Sequence, residues 1–111
     1  MIAVIFEVVP RPGQMSAYLD AAGALRPLLD GIEGFISIER FQSLSDPGRL
    51  LSLSFWRDEA AVQYWRNVTE HRAAQKLGRE AIFAEYRLRV AAVIRDYGMG
   101  DREESGPILR G

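Results

Sequence analysis

The chain contains no cysteine and only one histidine, His71, among its 111 residues. The lack of cysteine excludes disulfide bonds, thiolate metal ligands and cysteine nucleophiles. It also fits a reducing compartment, and we predict a cytoplasmic protein. A single histidine without cysteine falls short of the usual transition-metal ligand sets, so we expect no metal site.

Strong charge of one sign is also missing. The formal net charge is -1, and no basic run stands out. Since phosphate binding needs a clustered cationic face, we expect no nucleic-acid partner. No apolar run approaches the roughly 20 residues that span a membrane. The apolar start MIAVIFEVV has no positive region before it and is interrupted by Glu7, so we interpret it as a strand rather than a signal peptide.

The length suits one domain, and 48% hydrophobic with 26% charged residues is typical of globular proteins. Alternating and β-branched stretches predict strands at 2–9, 34–44, 49–57 and 86–97. The turn at 45–48 makes the second and third strands a hairpin. Apolar residues at helical spacing predict a helix over 14–30, with a kink or a break at Pro27.

The second helical region begins after Asp58, a plausible N-cap. Asn67, three residues before Glu70, resembles a new cap. We therefore expect an interruption there and a further helical segment at 70–77.

The order β-α-β-β-α-β predicts an α+β, ferredoxin-like domain over 1–97, with a four-stranded antiparallel sheet and both helical regions on one face. Residues 98–111 lack periodicity and are interpreted as a C-terminal arm or flexible tail.

The alternation along the strands predicts two apolar sheet faces. We expect the helices to cover the side of Phe6 and Val8 on the first strand, of Leu53 and Phe55 on the third, and of Val90 on the fourth. The opposite face then holds a second apolar set: Ala3, Ile5, Val9, Leu50, Trp56, Ala91 and Val93. Because a monomer would leave that set in water, we predict a homodimer whose sheets stack into a barrel. Glu7 and Arg87 or Arg89 are placed to pair near this interface.

The chain resembles the antibiotic biosynthesis monooxygenase family of dimeric α/β barrels. The resemblance covers about 2–97 and rests on the first strand, on GFISIERFQSLSDPGRLLSLSFW, on the helix with Trp65, and on EHRAAQKLGRE. It implies an apolar pocket between helices and sheet. In oxygenases of this kind the substrate loses a proton there, and its anion passes an electron to O2 without a cofactor.

The family's oxygenase motif is an asparagine, a tryptophan and a tyrosine on the second helical region. Here those positions hold Ala61, Trp65 and His71. The haem-degrading relatives carry asparagine, tryptophan and a ligating histidine where this chain has Phe6, Trp65 and Gln75. Haem degradation is therefore the weakest of the functions that the resemblance implies.

From the resemblance we take Trp65 and His71 as the candidate catalytic residues. His71 can act as acid or base because its ordinary pKa lies near neutrality. The candidate substrate-binding residues are Phe6, Tyr64, Gln75 and Phe83. Each has a plainer alternative: core packing for the aromatic residues, and a local hydrogen bond at a helix start for His71. Arg40 can reach an anionic substrate, but we interpret it as a surface residue.

Two functional hypotheses follow. The first is a monooxygenase that oxidises an aromatic or quinol-type molecule with O2. The second is a non-catalytic barrel that binds a hydrophobic small molecule, which the replaced asparagine and tyrosine favour. A fold alone does not decide between them.

Overall fold

The structure is a computed structural model that describes residues 1–101, without the side chain of Thr69. Its elements follow the expected order: β1 (Ile2–Pro10), α1 (Met15–Leu29), β2 (Phe35–Gln42), β3 (Leu50–Trp56), α2 (Glu59–Arg66), α3 (Thr69–Leu77) and β4 (Phe83–Ala92). A π-helical turn (Gly78–Ile82) precedes β4, and a 3₁₀ turn (Met99–Asp101) follows it. The predicted ferredoxin-like fold is confirmed. The predicted arm lies outside the described residues from 102 onward.

The four strands form one antiparallel sheet in the order β2-β3-β1-β4. The first and third strands are therefore central, and the hairpin partner β2 and the last strand are the edges. The three helices lie on one face, which we call the inner face. The other face, the outer face, has no helix against it among the described residues.

The helix boundaries show which local predictions were right. Asp58 caps α2, its carboxylate accepting a hydrogen bond from the Ala61 amide at 2.9 Å. Of the kink or break predicted at Pro27, the break is wrong, since α1 runs on to Leu29. The proline removes one backbone hydrogen bond, to the Gly23 carbonyl, without ending the helix. Asn67 does not cap α3. It ends α2 instead, its side-chain amide donating to the Gln63 carbonyl at 3.0 Å.

Two glycines allow close approaches that shape the inner face. Gly34 has a φ of +89°, and a Cβ there would lie 2.7 Å from the Cβ of Ala61, so glycine lets α2 begin close to the start of β2. A Cβ on Gly78 would lie 2.5 Å from the ring of Phe83. The π-helical turn thus brings the chain back to the sheet at Phe83, earlier than the predicted start at 86.

The register corrects our assignment of the β3 faces. Ser52 pairs with Phe6 and Ser54 with Val4. The side chains at the even-numbered positions of β3, from Leu50 to Trp56, therefore face the helices. The expected helix-facing set of Leu51, Leu53 and Phe55 lies on the outer face instead. Trp56, expected on the outer side, is 2% exposed beneath the helices. For β1 and β4 the expected faces are confirmed, although Val93 lies beyond the end of β4.

Two buried clusters hold the helices to the inner face. One joins α1, α2 and β3 through Leu29, Trp56, Ala61, Val62 and Trp65. The other joins β1, α1, β3 and the π-helical turn through Val8, Tyr18, Leu50 and Ile82. Between the two clusters the inner face is not filled, and this gap forms the candidate site.

Candidate functional site

A cavity of about 330 Å³ lies between the inner face and the helices. This volume is near the lower end for small-molecule sites. The cavity adjoins the β4 edge, where Tyr86, Leu88 and Val90 remain 49%, 45% and 41% exposed. A small ligand therefore has a route from solvent along this edge.

The cavity floor consists of two rows of side chains that cross the sheet from β2 to β4. The register places them as Arg40, Ser52, Phe6 and Leu88 in one row, and Ile38, Ser54, Val4 and Val90 in the other. Within these two rows the polar groups come from β2 and β3, whereas β1 and β4 contribute only apolar ones. The floor therefore has a polar end and an apolar end.

The roof comes from one side of each helix. From α3 and the following turn, His71, Ala74, Gln75 and Gly78 line the cavity. Their spacing of three to four residues is that of a single helical face. The other helices contribute mainly apolar groups: Tyr18, Ala21, Ala22, Leu25 and Leu29 from α1, and Val62, Trp65 and Arg66 from α2.

Trp65 and His71 form a stacked pair in the roof. Their ring centroids are 4.7 Å apart and their planes differ by 23°. The interruption between α2 and α3 makes this contact possible, because Val68 is extended and turns the chain back. Trp65 is 7% exposed, so the pair combines core packing with a cavity wall.

The environment of His71 favours a neutral ring. Burial lowers the pKa of His71, and the positive charge of Arg66 lowers it further, while the backbone carbonyl of Trp65 acts in the opposite direction. Nδ1 of His71 is buried and has no hydrogen-bond partner among the described residues. A neutral imidazole keeps one ring nitrogen with a free lone pair, and His71 lines the cavity, so its ring is a candidate acceptor for a proton from a bound molecule.

Three aromatic rings close together mark the apolar end of the cavity. The ring centroids of Phe6, Phe83 and Tyr86 lie 5.6 to 5.7 Å from one another. Tyr18 adds a fourth ring at 6.0 Å from Phe83, with the planes at 65°. Aromatic walls of this kind suit a flat or cyclic hydrophobic body.

The polar end contains one guanidinium and two buried hydroxyls. Ser54 accepts a hydrogen bond from the indole N–H of Trp56 at 2.9 Å, so its oxygen has a structural partner. Ser52 is 7% exposed and lies beside Arg40 across the β2–β3 pair. Nε of Arg40 is buried and, within residues 1–101, has no hydrogen-bond partner.

The structure brings most of the predicted site residues to the cavity. Five line it: Phe6, Trp65, His71, Gln75 and Phe83. Tyr64 does not, since it is 65% exposed on α2 and lies outside the lining. Two further residues line the cavity: Arg40, which we interpreted from the sequence as a surface residue, and Ser52, which had no signal of its own. The alternation of Ile38 with Arg40 was the available signal for Arg40, but it needed the strand register.

Among residues 1–101, no group of three His, Asp or Glu side chains is arranged to hold a metal ion. None of the helices in residues 1–101 has the length and apolar character to cross a bilayer.

Comparison with known proteins identifies relatives. A family model described as antibiotic biosynthesis monooxygenase matches residues 1–77. A jasmonate monooxygenase from Pyricularia oryzae is 50% identical over 93 residues, which are 84% of this chain but only 43% of that protein. An uncharacterised Bacillus subtilis protein, YqjZ, is 33% identical over 84% of this chain and 79% of its own length.

Solved structures support the fold. Rv0793 from Mycobacterium tuberculosis superposes with a TM-score of 0.78 at 21% identity, covering 87% of this chain and 98% of its own. An antibiotic biosynthesis monooxygenase homologue from Deinococcus radiodurans gives 0.76 at 11% identity, covering 89% and 98%. Identities this low support the fold alone.

Proposed function

Because the chain belongs to the antibiotic biosynthesis monooxygenase family, we propose that it is a monooxygenase that oxidises a small, largely hydrophobic molecule with O2. The observation that carries the proposal is the cavity beneath the Trp65–His71 pair. It joins the neutral imidazole of His71 to an aromatic wall. These are the groups needed to take a proton from a bound carbon acid and to keep water from its anion.

The relative from Pyricularia oryzae supports a substrate of modest size. It is called a jasmonate monooxygenase, and jasmonate is the anion of a small carboxylic acid. The chain spans less than half of that protein, so its substrate enters here only as a guide. An aromatic or quinol-type molecule is compatible with the 330 Å³ cavity and its aromatic wall.

The proposed reaction converts an activated CH2 group to a carbonyl. His71 takes one proton, and the carbanion gives an electron to O2. The two radicals combine to a peroxide anion, which takes the proton back from His71. The resulting hydroperoxide then loses water. One oxygen atom of O2 becomes the carbonyl and the other leaves as water. All the electrons that reduce O2 come from the substrate carbon, so the step needs neither an outside reductant nor a cofactor.

We propose a homodimer formed by the outer faces of two sheets. Ile5, Leu51, Leu53 and Phe55 lie together at the centre of the outer face, and Phe41 beside them is 44% exposed. Burying such a patch against a second copy removes it from water. Glu7 and Arg89 pair on the same face, which neutralises both charges there. A cytoplasmic location stays the prediction made from the lack of cysteine.

A non-catalytic binding function is the alternative, and one observation favours it. Ala61 occupies the asparagine position of the oxygenase motif. It is 4% exposed, packs against Gly34 and is not part of the cavity lining. The motif position therefore offers neither a hydrogen-bonding group nor access to a ligand.

Oxygen consumption tests the proposed function. Protein treated with a chelator would be given anthrone, 1,4-dihydroxynaphthalene or jasmonate in an oxygen-electrode cell. We expect uptake above the buffer rate for at least one compound. His71→Ala should lower the rate by about 10²–10⁴-fold, as expected for loss of an acid–base group. Trp65→Phe should lower it less, because a ring still lines the cavity.

Tyr64→Phe is the matched control, because this exposed ring on α2 lies outside the cavity and its loss of a hydroxyl should leave the rate unchanged. Circular dichroism would establish that each variant is folded. A wild-type rate equal to that of buffer across the whole panel would favour the binding function instead.

A further inference from the structure

We infer that the polar end of the cavity is a carboxylate site, with Arg40 as the residue that binds the anionic head of an otherwise hydrophobic ligand. This inference rests on the proposed function only in taking the cavity as the ligand site. It adds a substrate class, amphiphilic monocarboxylates, and a direction in which they lie.

The charges that line the cavity all have one sign. Among the described residues the lining includes Arg40, Arg66 and Arg79 and no aspartate or glutamate. The chain as a whole has a formal net charge of -1, so this is a local concentration of positive charge. Within residues 1–101 none of the three arginines forms an ion pair, whereas Arg26, Arg49, Arg57 and Arg89 all do.

Arg40 differs from the other two in its surroundings. It lies in the floor on the inner face of β2, whereas Arg66 and Arg79 are exposed helical residues. Its buried Nε has no hydrogen-bond partner within the described residues. A guanidinium cannot lose its proton in a protein, so the buried Nε–H on one edge of this half-buried side chain calls for an acceptor. A carboxylate fits that edge because its two oxygens match two parallel N–H donors.

Ser52 completes the head-group site. It is the cross-strand neighbour of Arg40, on the same face, and is 7% exposed. Its hydroxyl can donate to a carboxylate oxygen. The neighbouring Ser54 already accepts the Trp56 indole N–H, so Ser52 is the serine better placed to serve a ligand.

The floor row then gives the ligand its direction. From Arg40 the row runs through Ser52 and Phe6 to Leu88, across three strand spacings, or about 14 Å at about 4.8 Å per strand. A carboxylate at Arg40 places the hydrophobic body over Phe6, against the rings of Phe83 and Tyr86. An uncharged molecule would leave the guanidinium edge without an acceptor.

The test compares 1-naphthylacetate with the neutral 1-naphthylacetamide by isothermal titration calorimetry without oxygen. The pair shares a ring body and differs in the charge of the head. We expect the wild-type protein to bind the acid at least tenfold more tightly than the amide. Arg40→Gln should weaken binding of the acid by about ten- to a hundredfold, as for loss of a charge-assisted hydrogen bond, and leave the amide unchanged.

Arg72→Gln is the matched control, since it removes the same charge from an exposed position of α3 outside the cavity. It should change the affinity for the acid less than twofold. Arg40→Lys keeps the charge but not the planar donor pair, and should fall between wild type and Arg40→Gln. If Arg40→Gln does not fold, the proposal is tested by the ratio of the affinities for acid and amide, measured for the wild type and for Arg40→Lys.

Equal binding of acid and amide by the wild type would overturn the proposal, as would no binding of the acid at millimolar concentration. An equal loss for both ligands in Arg40→Gln would also overturn it, because Arg40 would then only shape the cavity. The proposed function fails separately. Selective binding of the acid without oxygen uptake would support the carboxylate site and contradict the monooxygenase. Oxygen uptake with neutral substrates alone would support the monooxygenase and contradict the carboxylate site.

Discussion

The two faces of the sheet differ in a way that hydrophobicity alone does not reveal. On β3 the outer face carries Leu51, Leu53 and Phe55, while the inner face carries two serines at its centre. The more apolar side of this strand is thus the one against which residues 1–101 place no helix. The inner face is less apolar because part of it is a cavity floor rather than core. An apolar strand face therefore indicates burial, by helices or by a partner, without saying which.

The largest expected effect is a loss of stability on truncating Trp56, compared with truncating its neighbour Phe55 on the opposite face. Trp56→Ala removes a side chain that is 2% exposed and leaves a hole beneath the helices. It should lower the free energy of unfolding by about 3–5 kcal/mol. Phe55→Ala removes a half-buried ring on the outer face and should cost the monomer much less. Urea unfolding at two protein concentrations measures both.

The concentration dependence tells the two faces apart. The loss in Trp56→Ala should be the same at both concentrations, because it arises within one chain. The loss in Phe55→Ala should grow with concentration, because it weakens the contribution of the partner to stability. Equal, concentration-independent losses would contradict the assignment of the outer face to the dimer.

A second comparison introduces charge on the outer face. Leu53 pairs with Ile5 at the centre of that face. Leu53→Glu would bury an unpaired carboxylate in each copy of the interface, and should weaken the dimer by about a hundredfold or more. Leu19→Glu is the control, at a leucine that is 47% exposed on α1. Size-exclusion chromatography with light scattering should give half the wild-type mass for Leu53→Glu and the full mass for Leu19→Glu.

A monomeric wild type would remove this comparison. It would also leave the apolar outer face without an explanation.

The elements and their order were predictable because local signals agree. The β-branched first strand, the turn at 45–48 and the Asp58 cap each act within a few residues. The period of two also showed correctly which residues share a face. It could not show which face of β3 the helices cover, because that depends on the pairing of Ser52 with Phe6, far apart in sequence.

The candidate site was predictable only in part for the same reason. Trp65 and His71 came from the family resemblance, and their stacking depends on the extended backbone at Val68. Arg40 was missed because a lone arginine on an edge strand usually reaches solvent. Only the register shows that Arg40 lies in the cavity floor, with Ser52 as its cross-strand neighbour. Tyr64 is next to Trp65 in sequence, yet adjacent helical positions point in different directions, and its ring is exposed.

The smallest expected effect is a pH dependence that belongs to the inner face. Burial lowers the pKa of His71, so the folded ring binds a proton less readily than the unfolded one, whose pKa is about 6.5. When the pH falls through 6.5, the unfolded state takes up the proton first, and the free energy of unfolding decreases. Above that pH the stability contribution is fully present.

Urea unfolding of wild type and His71→Gln at pH values between about 7.5 and 5.5 measures this effect, since this range spans the ordinary histidine pKa. The wild type should lose more stability on acidification than the variant, which has no ring to titrate. Arg72→Gln, a change on the exposed side of the same helix, should keep the wild-type slope. If the free energy of unfolding falls with pH equally in wild type and His71→Gln, the ring is hydrated in solution. His71 would then not be a buried neutral base on the inner face.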